Sequence, residues 1–382
     1  MTKRNTKSIL FITPLPPPVH GSAMVSQYIK DSALVQGEFE CDFVNLSTSR
    51  RMDEIGKGGT KKLLRFVGSF LKLFLKLISH RYDLCYLAIT CHGMGFLKDA
   101  PFVWLCKLFG CKVLIHQHNK GMSKCIDRWP YRWLIPYIYN HTRVMLLSWY
   151  LYTDIEKAVK REQVVICPNG IPETVSGERL MVSGDNAERG SVASSSSPTV
   201  NLLFLSNLIP SKGVYVLLDA CKILKEKGMD FHCNFVGSES KEINRSVFEQ
   251  AVRERRLDDC VTYHGPKYGD EKERYWEMAD VFVQPTFEDC FPLTILEAMQ
   301  HHKPIVSTNE GAVPDMVIDG ENGFVCGRQD VNGLAIVLEK LITNPSLRKQ
   351  MGEEGYRMYM EKFTLSRFEQ RFVECLDRAV KG

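Results

Sequence analysis

Short, almost wholly apolar runs recur along this chain and limit its fold more than any other feature. They stand at residues 8–12 (SILFI), 82–89 (YDLCYLAI), 112–116 (KVLIH), 144–147 (VMLL) and 164–167 (VVIC). A second series follows at 200–205 (VNLLFL), 231–236 (FHCNFV), 261–265 (VTYHG), 281–284 (VFVQ) and 304–307 (PIVS). A run with apolar residues at successive positions has no solvent side, the mark of a strand covered on both faces in a parallel sheet. Helical patterns lie between the runs, for example at 23–30, 102–109 and 214–227, which gives the alternating rhythm of an α/β fold. With 382 residues the chain is long enough for two domains, each with its own core.

In the first half, the run at 8–12 leads into a proline-dense loop, 14–21, whose only glycine is Gly21, and then a helix. The G-x-G-x-x-G dinucleotide fingerprint is therefore absent, which disfavours an NAD enzyme. Gly21 either lets the loop approach a ligand closely or sits at a plain turn. Residues 61–80 (KKLLRFVGSFLKLFLKLISH) form a basic amphipathic helix with polar positions at Lys62, Arg65, Ser69, Lys72, Lys76 and Ser79. It either packs on the sheet with its lysines in water or docks on anionic lipid headgroups. The run at 112–116 ends in His116-Gln117-His118-Asn119-Lys120-Gly121. Strand alternation puts His116 and His118 on one side, at the strand end where open α/β sheets bind ligands. No Cys, Asp or Glu stands beside them at ligand spacing, so the pair does not read as a metal site. Residues 173–200, poor in large apolar side chains and rich in serine, read as a mobile surface insertion near the domain junction.

In the second half, Ser211-Lys212-Gly213 opens a helix, putting a cation beside a glycine at a helix start. The second glycine and Lys-Ser/Thr pair of a Walker loop are missing, so Lys212 is either a phosphate ligand or a solvated loop lysine. Residues 285–299 read PTFEDCFPLTILEAM. Pro292 suits the first turn of a helix, whose free N–H groups and dipole make an anion site. Asp289 before that helix and Glu297 about two turns in suit a ligand that carries both phosphate and sugar hydroxyls. The plainer alternative is an ordinary strand–loop–helix crossover with a solvated acid at each end.

Charge and cysteine usage narrow the setting. The net charge of +4 hides an asymmetry: residues 1–170 hold 24 Lys+Arg against 12 Asp+Glu, and the remainder 25 against 33. A basic first half is drawn to nucleic acid or an anionic membrane, and the lack of any nucleic-acid motif favours the membrane. The 13 cysteines include no C-x-x-C pair, which points to buried thiols in a reducing cytoplasm. No stretch approaches the roughly 20 uninterrupted apolar residues of a spanning helix.

Taken in order, these pieces resemble glycosyltransferase family 4, the retaining transferases of GT-B fold. The segment 285–299 is similar to that family's E-x7-E element. It is joined by Pro168-Asn169-Gly170, Ser211-Lys212-Gly213, Gly265, Glu310 to Asp315 (EGAVPD) and Asp319 to Phe324 (DGENGF). The resemblance implies an α/β GT-B architecture of two Rossmann-like domains whose parallel sheets face across a donor cleft. Its expected boundaries are an acceptor-side domain at 1–168, a nucleotide-sugar domain at 169–363, and a C-terminal helix at 364–382 returning to the first domain. Among site residues, it implies that Asp289 holds the donor sugar, Glu297 the nucleotide ribose, and the turn at Phe291, Leu293 and Thr294 the phosphate and sugar. Lys212 matches the residue that neutralises the diphosphate. Asn207 stands where the family usually has an arginine, and Asp289 where it has the first glutamate. His118, with His116 as the rival, matches the histidine by the donor sugar, and Gly21 the loop that approaches the phosphates.

The activity implied is metal-independent hexosyl transfer from a nucleotide diphosphate-sugar to an acceptor hydroxyl with retention. No D-x-D sequence occurs, and no cofactor is implied beyond the donor. The basic first half adds a lipid-linked glycan acceptor in cell-surface polysaccharide synthesis, with the chain cytoplasmic or peripheral on the inner membrane face. Nucleic acid is not an expected partner. A sugar-nucleotide epimerase of the same fold and an inactive binding protein are the rivals, separated by whether donor consumption needs an acceptor.

Overall fold

The computed structural model describes residues 6–18, 21–49, 59–173 and 199–381. The insertion expected at 173–200 lies, but for its ends, outside the described residues. The chain divides into two compact units, Met1–Gly170 with Leu365–Gly382, and Ile171–Thr364.

The first unit is built on six strands: β1 (Lys7–Thr13), β2 (Phe39–Asn45), β3 (Leu84–Leu87), β4 (Val113–His116), β5 (Arg143–Leu146) and β6 (Val164–Ile166). Every pairing is parallel, in the order β2-β1-β3-β4-β5-β6. The second unit repeats the plan with β7 (Val200–Leu205), β8 (Phe231–Val236), β9 (Val261–Tyr263), β10 (Val281–Val283), β11 (Ile305–Thr308) and β12 (Gly323–Cys326). Its order is β12-β11-β10-β7-β8-β9, again all parallel. The α/β class with two parallel sheets is the expected one. Two strands, β2 and β12, were not among the apolar runs, and both lie at a sheet edge. An edge strand needs less cover, so FECDFVN carries the polar residues that a central strand excludes.

Each order reverses direction once, between β1 and β3 in the first sheet and between β7 and β10 in the second. The loops leaving the C-terminal ends of two such strands part to opposite sides and open a crevice, where ligands of open α/β sheets bind. The C-terminal helix, Leu365–Lys381, belongs to the first unit. Its Phe372 ring meets Tyr86 at 5.4 Å and His116 at 6.4 Å, so the end of the chain closes the core over β3 and β4.

The helix expected at 61–80 spans Thr60–Ser79, and its inward side mixes apolar and polar residues while many of its leucines stay exposed. Leu73 and Leu77 are buried, and Arg65, Ser69 and Lys76 also turn toward the body. Lys76 bonds Asp42 on β2 at 2.5 Å, the Ser69 hydroxyl donates to the Asn45 carbonyl, and Arg65 donates to the Thr48 carbonyl. Burial pushes the Asp42 carboxyl up, and hydrogen bonds from Lys76 and Tyr82 outweigh it, leaving it below its usual range. The polar edge strand β2 and the loop after it supply the partners: Asp42 pairs with Lys76 and Tyr82, and the Asn45 and Thr48 carbonyls accept from Ser69 and Arg65.

Candidate functional site

The crevice of the second unit is walled by the loops that leave β7 and β10. The segment after β10 is fixed from both sides. The Phe287 N–H donates to the Ser211 carbonyl at 2.9 Å, and the Thr286 hydroxyl to the same oxygen at 3.1 Å. Behind it, the Ser307 hydroxyl donates to the Gln284 carbonyl at 2.8 Å, and the Thr308 hydroxyl to that of Thr286. Gly213 lies in the left-handed region at φ +87°, and a Cβ there would sit 2.2 Å from the Pro285 carbonyl oxygen. Gly311, at φ +55°, would put a Cβ 2.5 Å from the Asp289 carbonyl oxygen. No side chain fits at either position, so the Lys212 turn and the 309–312 loop close directly on the 285–290 elbow.

That closure brings Lys212 and Asp289, 77 residues apart, to a Nζ–Oδ2 distance of 2.5 Å. Both are largely buried, with 21% and 13% of their side chains exposed. The other Asp289 oxygen accepts the Cys290 N–H at 2.8 Å, and the Asp289 N–H donates to Glu310 at 3.1 Å. Glu310 is fully buried and forms an ion pair with Arg328 at 2.7 Å. The carboxylate that faces the crevice is therefore buttressed by a second carboxylate beneath it, whose charge Arg328 balances.

Pro292 is the N-cap of the helix Leu293–Gln300, one position earlier than a first-turn proline. The Thr294 hydroxyl donates to the Gln284 side chain at 2.9 Å, tying the helix start to the end of β10. Ile295 N–H bonds the Pro292 carbonyl, whereas Leu293 and Thr294 open the helix, where N–H groups have no carbonyl one turn back to bind. Phe291 is buried, with its ring 6.3 Å from Phe363. Glu297 is held at both oxygens, by Lys272 at 3.0 Å and by the Trp276 indole N–H at 3.3 Å. A carboxylate has about four acceptor positions, so two remain for hydroxyl donors. Asn207 accepts the Ser238 N–H at 3.2 Å, which makes it a cross-link between the loops after β7 and β8.

The first unit carries its own crevice at its switch point, a cavity of about 370 Å³. Its lining includes Ser22, Ser47, Thr90, Lys98, His118 and Asn119. Gly21 is the first residue of the helix Gly21–Asp31, next to the lining Ser22. His116 and His118 project to the same side, their rings 4.0 Å apart. Their environments differ: His116 is fully buried and shares a 2.7 Å hydrogen bond with Tyr86, whereas His118 reaches the cavity. Burial, and then the neighbouring His118, hold the His116 imidazole well below its ordinary range, so it is neutral. The loop behind His118 is gripped by Asp154, whose carboxylate accepts the N–H groups of Gly121, Met122 and Ser123 and the Ser123 hydroxyl at 2.6–3.1 Å.

The crevices thus unite Lys212 with Asp289 and the helix start in one unit, and His118 with the Gly21 helix in the other. Sequence reasoning missed Lys272, Trp276 and Arg328, which no motif marks. It also missed Asp154, and it noted Glu310 only as part of a motif.

Several known proteins resemble this chain. An uncharacterized glycosyltransferase of Methanocaldococcus jannaschii is 28% identical over 228 residues, covering 59% of this chain and 56% of that one. The capsular polysaccharide biosynthesis glycosyltransferase CapM of Staphylococcus aureus is 27% identical over 161 residues, covering 42% and 41%. The chain thus spans about half the length, or less, of curated relatives it matches. Among solved structures, Anabaena HepE in complex with UDP-glucose superposes with a TM-score of 0.69 at 16% identity, covering 97% of this chain and 99% of that one. This likeness extends over both units and identifies the fold as GT-B. Residues 192–358, which hold Lys212, Asp289 and Glu297, match the family model described as glycosyl transferases group 1.

Proposed function

We propose that this chain is a retaining, metal-independent glycosyltransferase that moves a hexosyl group from a nucleotide diphosphate-sugar to an acceptor hydroxyl. The observation that carries the reading is the 2.5 Å Lys212–Asp289 pair beside the start of the Leu293–Gln300 helix, at the switch point of the second sheet. The arrangement offers a cation and helix N–H groups to a diphosphate, and a fixed carboxylate to sugar hydroxyls. Glu297, oriented by Lys272 and Trp276, keeps acceptor positions for a ribose diol. CapM is named for capsular polysaccharide biosynthesis and HepE was solved with UDP-glucose, which supports a uridine donor and a role in cell-surface polysaccharide assembly. The basic first half supports a lipid-linked glycan acceptor.

As the bond from the anomeric carbon to the phosphate breaks, negative charge grows on the departing diphosphate. Lys212 is held in place by Asp289 before the reaction, so its charge stabilises that oxygen without reorganising. The acceptor oxygen bonds the anomeric carbon on the face the phosphate leaves, and the departing phosphate oxygen takes the acceptor's proton. The cation and helix start supply the charge compensation that a divalent ion provides elsewhere, so transfer persists in EDTA. In the first unit, the cavity lined by Ser22, Thr90, His118 and Asn119 is assigned to sugar hydroxyls, His118 offering a ring nitrogen. The test is a panel of UDP-hexoses, with product release measured with and without acceptor. Release that requires acceptor supports transfer, and conversion of donor without acceptor favours the epimerase.

A further inference from the structure

The helix Thr60–Ser79 exposes its apolar side. Leu64, Leu71, Leu75 and Ile78 fall on one helical stripe, and each is more than half exposed. This stripe is part of a wider face. The connections β2 to β3, β3 to β4 and β4 to β5 all run in one direction across the sheet, so right-handed crossovers place their helices on a single face. Those helices are Thr60–Ser79, Gly93–Leu108 and Tyr131–Tyr139. They pack side by side. Phe66 and Phe70 meet Phe102 edge-on at 5.4 and 5.6 Å, and the Lys107 ammonium caps the end of the third helix by bonding the carbonyls of Ile138 and Asn140. On the third helix Trp133 is 66% exposed, with the Arg132 guanidinium 5.2 Å from its ring centre.

The exposed charge of the three helices is of one sign. Of their eight Lys and Arg residues, Lys61, Lys72 and Arg132 are exposed, whereas Arg65, Lys76, Lys98 and Lys107 are bonded within the unit. The single acid, Asp99, is buried and paired with Lys98. Lys61 and Lys72 flank the leucine stripe and are exposed. Aliphatic side chains at the centre, with tryptophan and cations around them, complement the acyl boundary and headgroups of an anionic bilayer. None of the described helices is long and apolar enough to cross a membrane.

We infer that the three-helix face of the first unit docks on the surface of an anionic lipid bilayer, with the Leu64–Ile78 stripe inserted at the acyl boundary. The sequence alone pointed to the lysines of this helix as the contact. The fold reassigns it, because Lys76 is bonded to Asp42 and the leucines lead. The inference stands apart from the nucleotide-sugar reading, since vesicle binding needs no donor.

The test is flotation of the full chain with phosphatidylcholine vesicles, with and without phosphatidylglycerol, alongside the variants L71E/L75E and K61E/K72E. The wild type floats with the anionic vesicles. The leucine variant loses binding by tenfold or more, since each buried leucine contributes about tenfold. The lysine variant loses its preference for phosphatidylglycerol, and 0.5 M salt weakens the wild type in the same way. An unchanged circular dichroism spectrum and melting point for both variants confirm that the fold survives. Absence of wild-type binding, or equal binding by L71E/L75E, overturns the inference. So does a wild-type dimer in light scattering that L71E/L75E converts to monomer, because the face would then be covered by a second copy.

Discussion

Lys212 and Asp289 are the smallest unit in which the proposed chemistry can be tested. With Lys212→Ala the departing diphosphate loses its preorganised cation, which raises the barrier by about 2–4 kcal/mol, or roughly 30- to 1,000-fold in kcat. The melting temperature should fall as well, because Asp289 is left without its cation at a largely buried position. Wild-type kinetics for this variant would remove Lys212 from the mechanism. Gly213→Ala tests the support instead. A Cβ at 2.2 Å from the Pro285 carbonyl, at a left-handed φ, forces the turn off the elbow and costs about 2–4 kcal/mol of stability, measured by urea unfolding. At this scale Lys212, Asp289, Thr294 and Glu297 were legible, because each sits at a fixed offset from a helix start or glycine. Lys272 and Arg328 were not, and Glu310 stood only within a motif: Lys272 meets Glu297, and Glu310 meets Asp289 and Arg328, across elements that no local offset relates.

Among the elements, β4 shows what an apolar run conceals. Its last residue, His116, is buried against Tyr86 and the C-terminal helix, and burial keeps it neutral. Its pKa in the folded chain is depressed, so below the ordinary value of 6.5 the unfolded chain takes up a proton that the folded chain does not. Stability is therefore lost as pH falls through that value, by on the order of 1 kcal/mol per pH unit while the folded ring stays neutral. His116→Gln should flatten the acid limb of the urea-stability profile. Equal pH dependence for variant and wild type would contradict the assignment. Alternation correctly placed His116 and His118 on one side, but only packing separates the buried ring from the one at the cavity. The Thr60–Ser79 helix carries the same lesson. Its period was plain in the sequence, whereas the inward turn of Arg65, Ser69 and Lys76 depends on β2, a strand that no apolar run announced, and on the loop after it.

At the scale of the molecule, two parallel sheets with one reversal of strand order each account for the positions of both crevices. The central strands were legible because cover on both faces leaves no room for polar residues; of the edge strands, β6 and β9 were legible as apolar runs, whereas β2 and β12 were not. A ligand that binds only the folded chain stabilises it, by about 2.7 kcal/mol at a hundred times its dissociation constant. UDP should therefore raise the melting temperature of the wild type, and raise that of Glu297→Ala less. The most direct measurement of the central claim follows label from UDP-hexoses, α-linked at the anomeric carbon, into lipid-extractable product on membranes supplying the acceptor, with UDP release recorded in parallel. Transfer that needs the membranes, matches UDP release, gives an α-linked product and falls at least 30-fold in Lys212→Ala is the predicted result. A β-linked product, or donor turnover indifferent to acceptor, would contradict it.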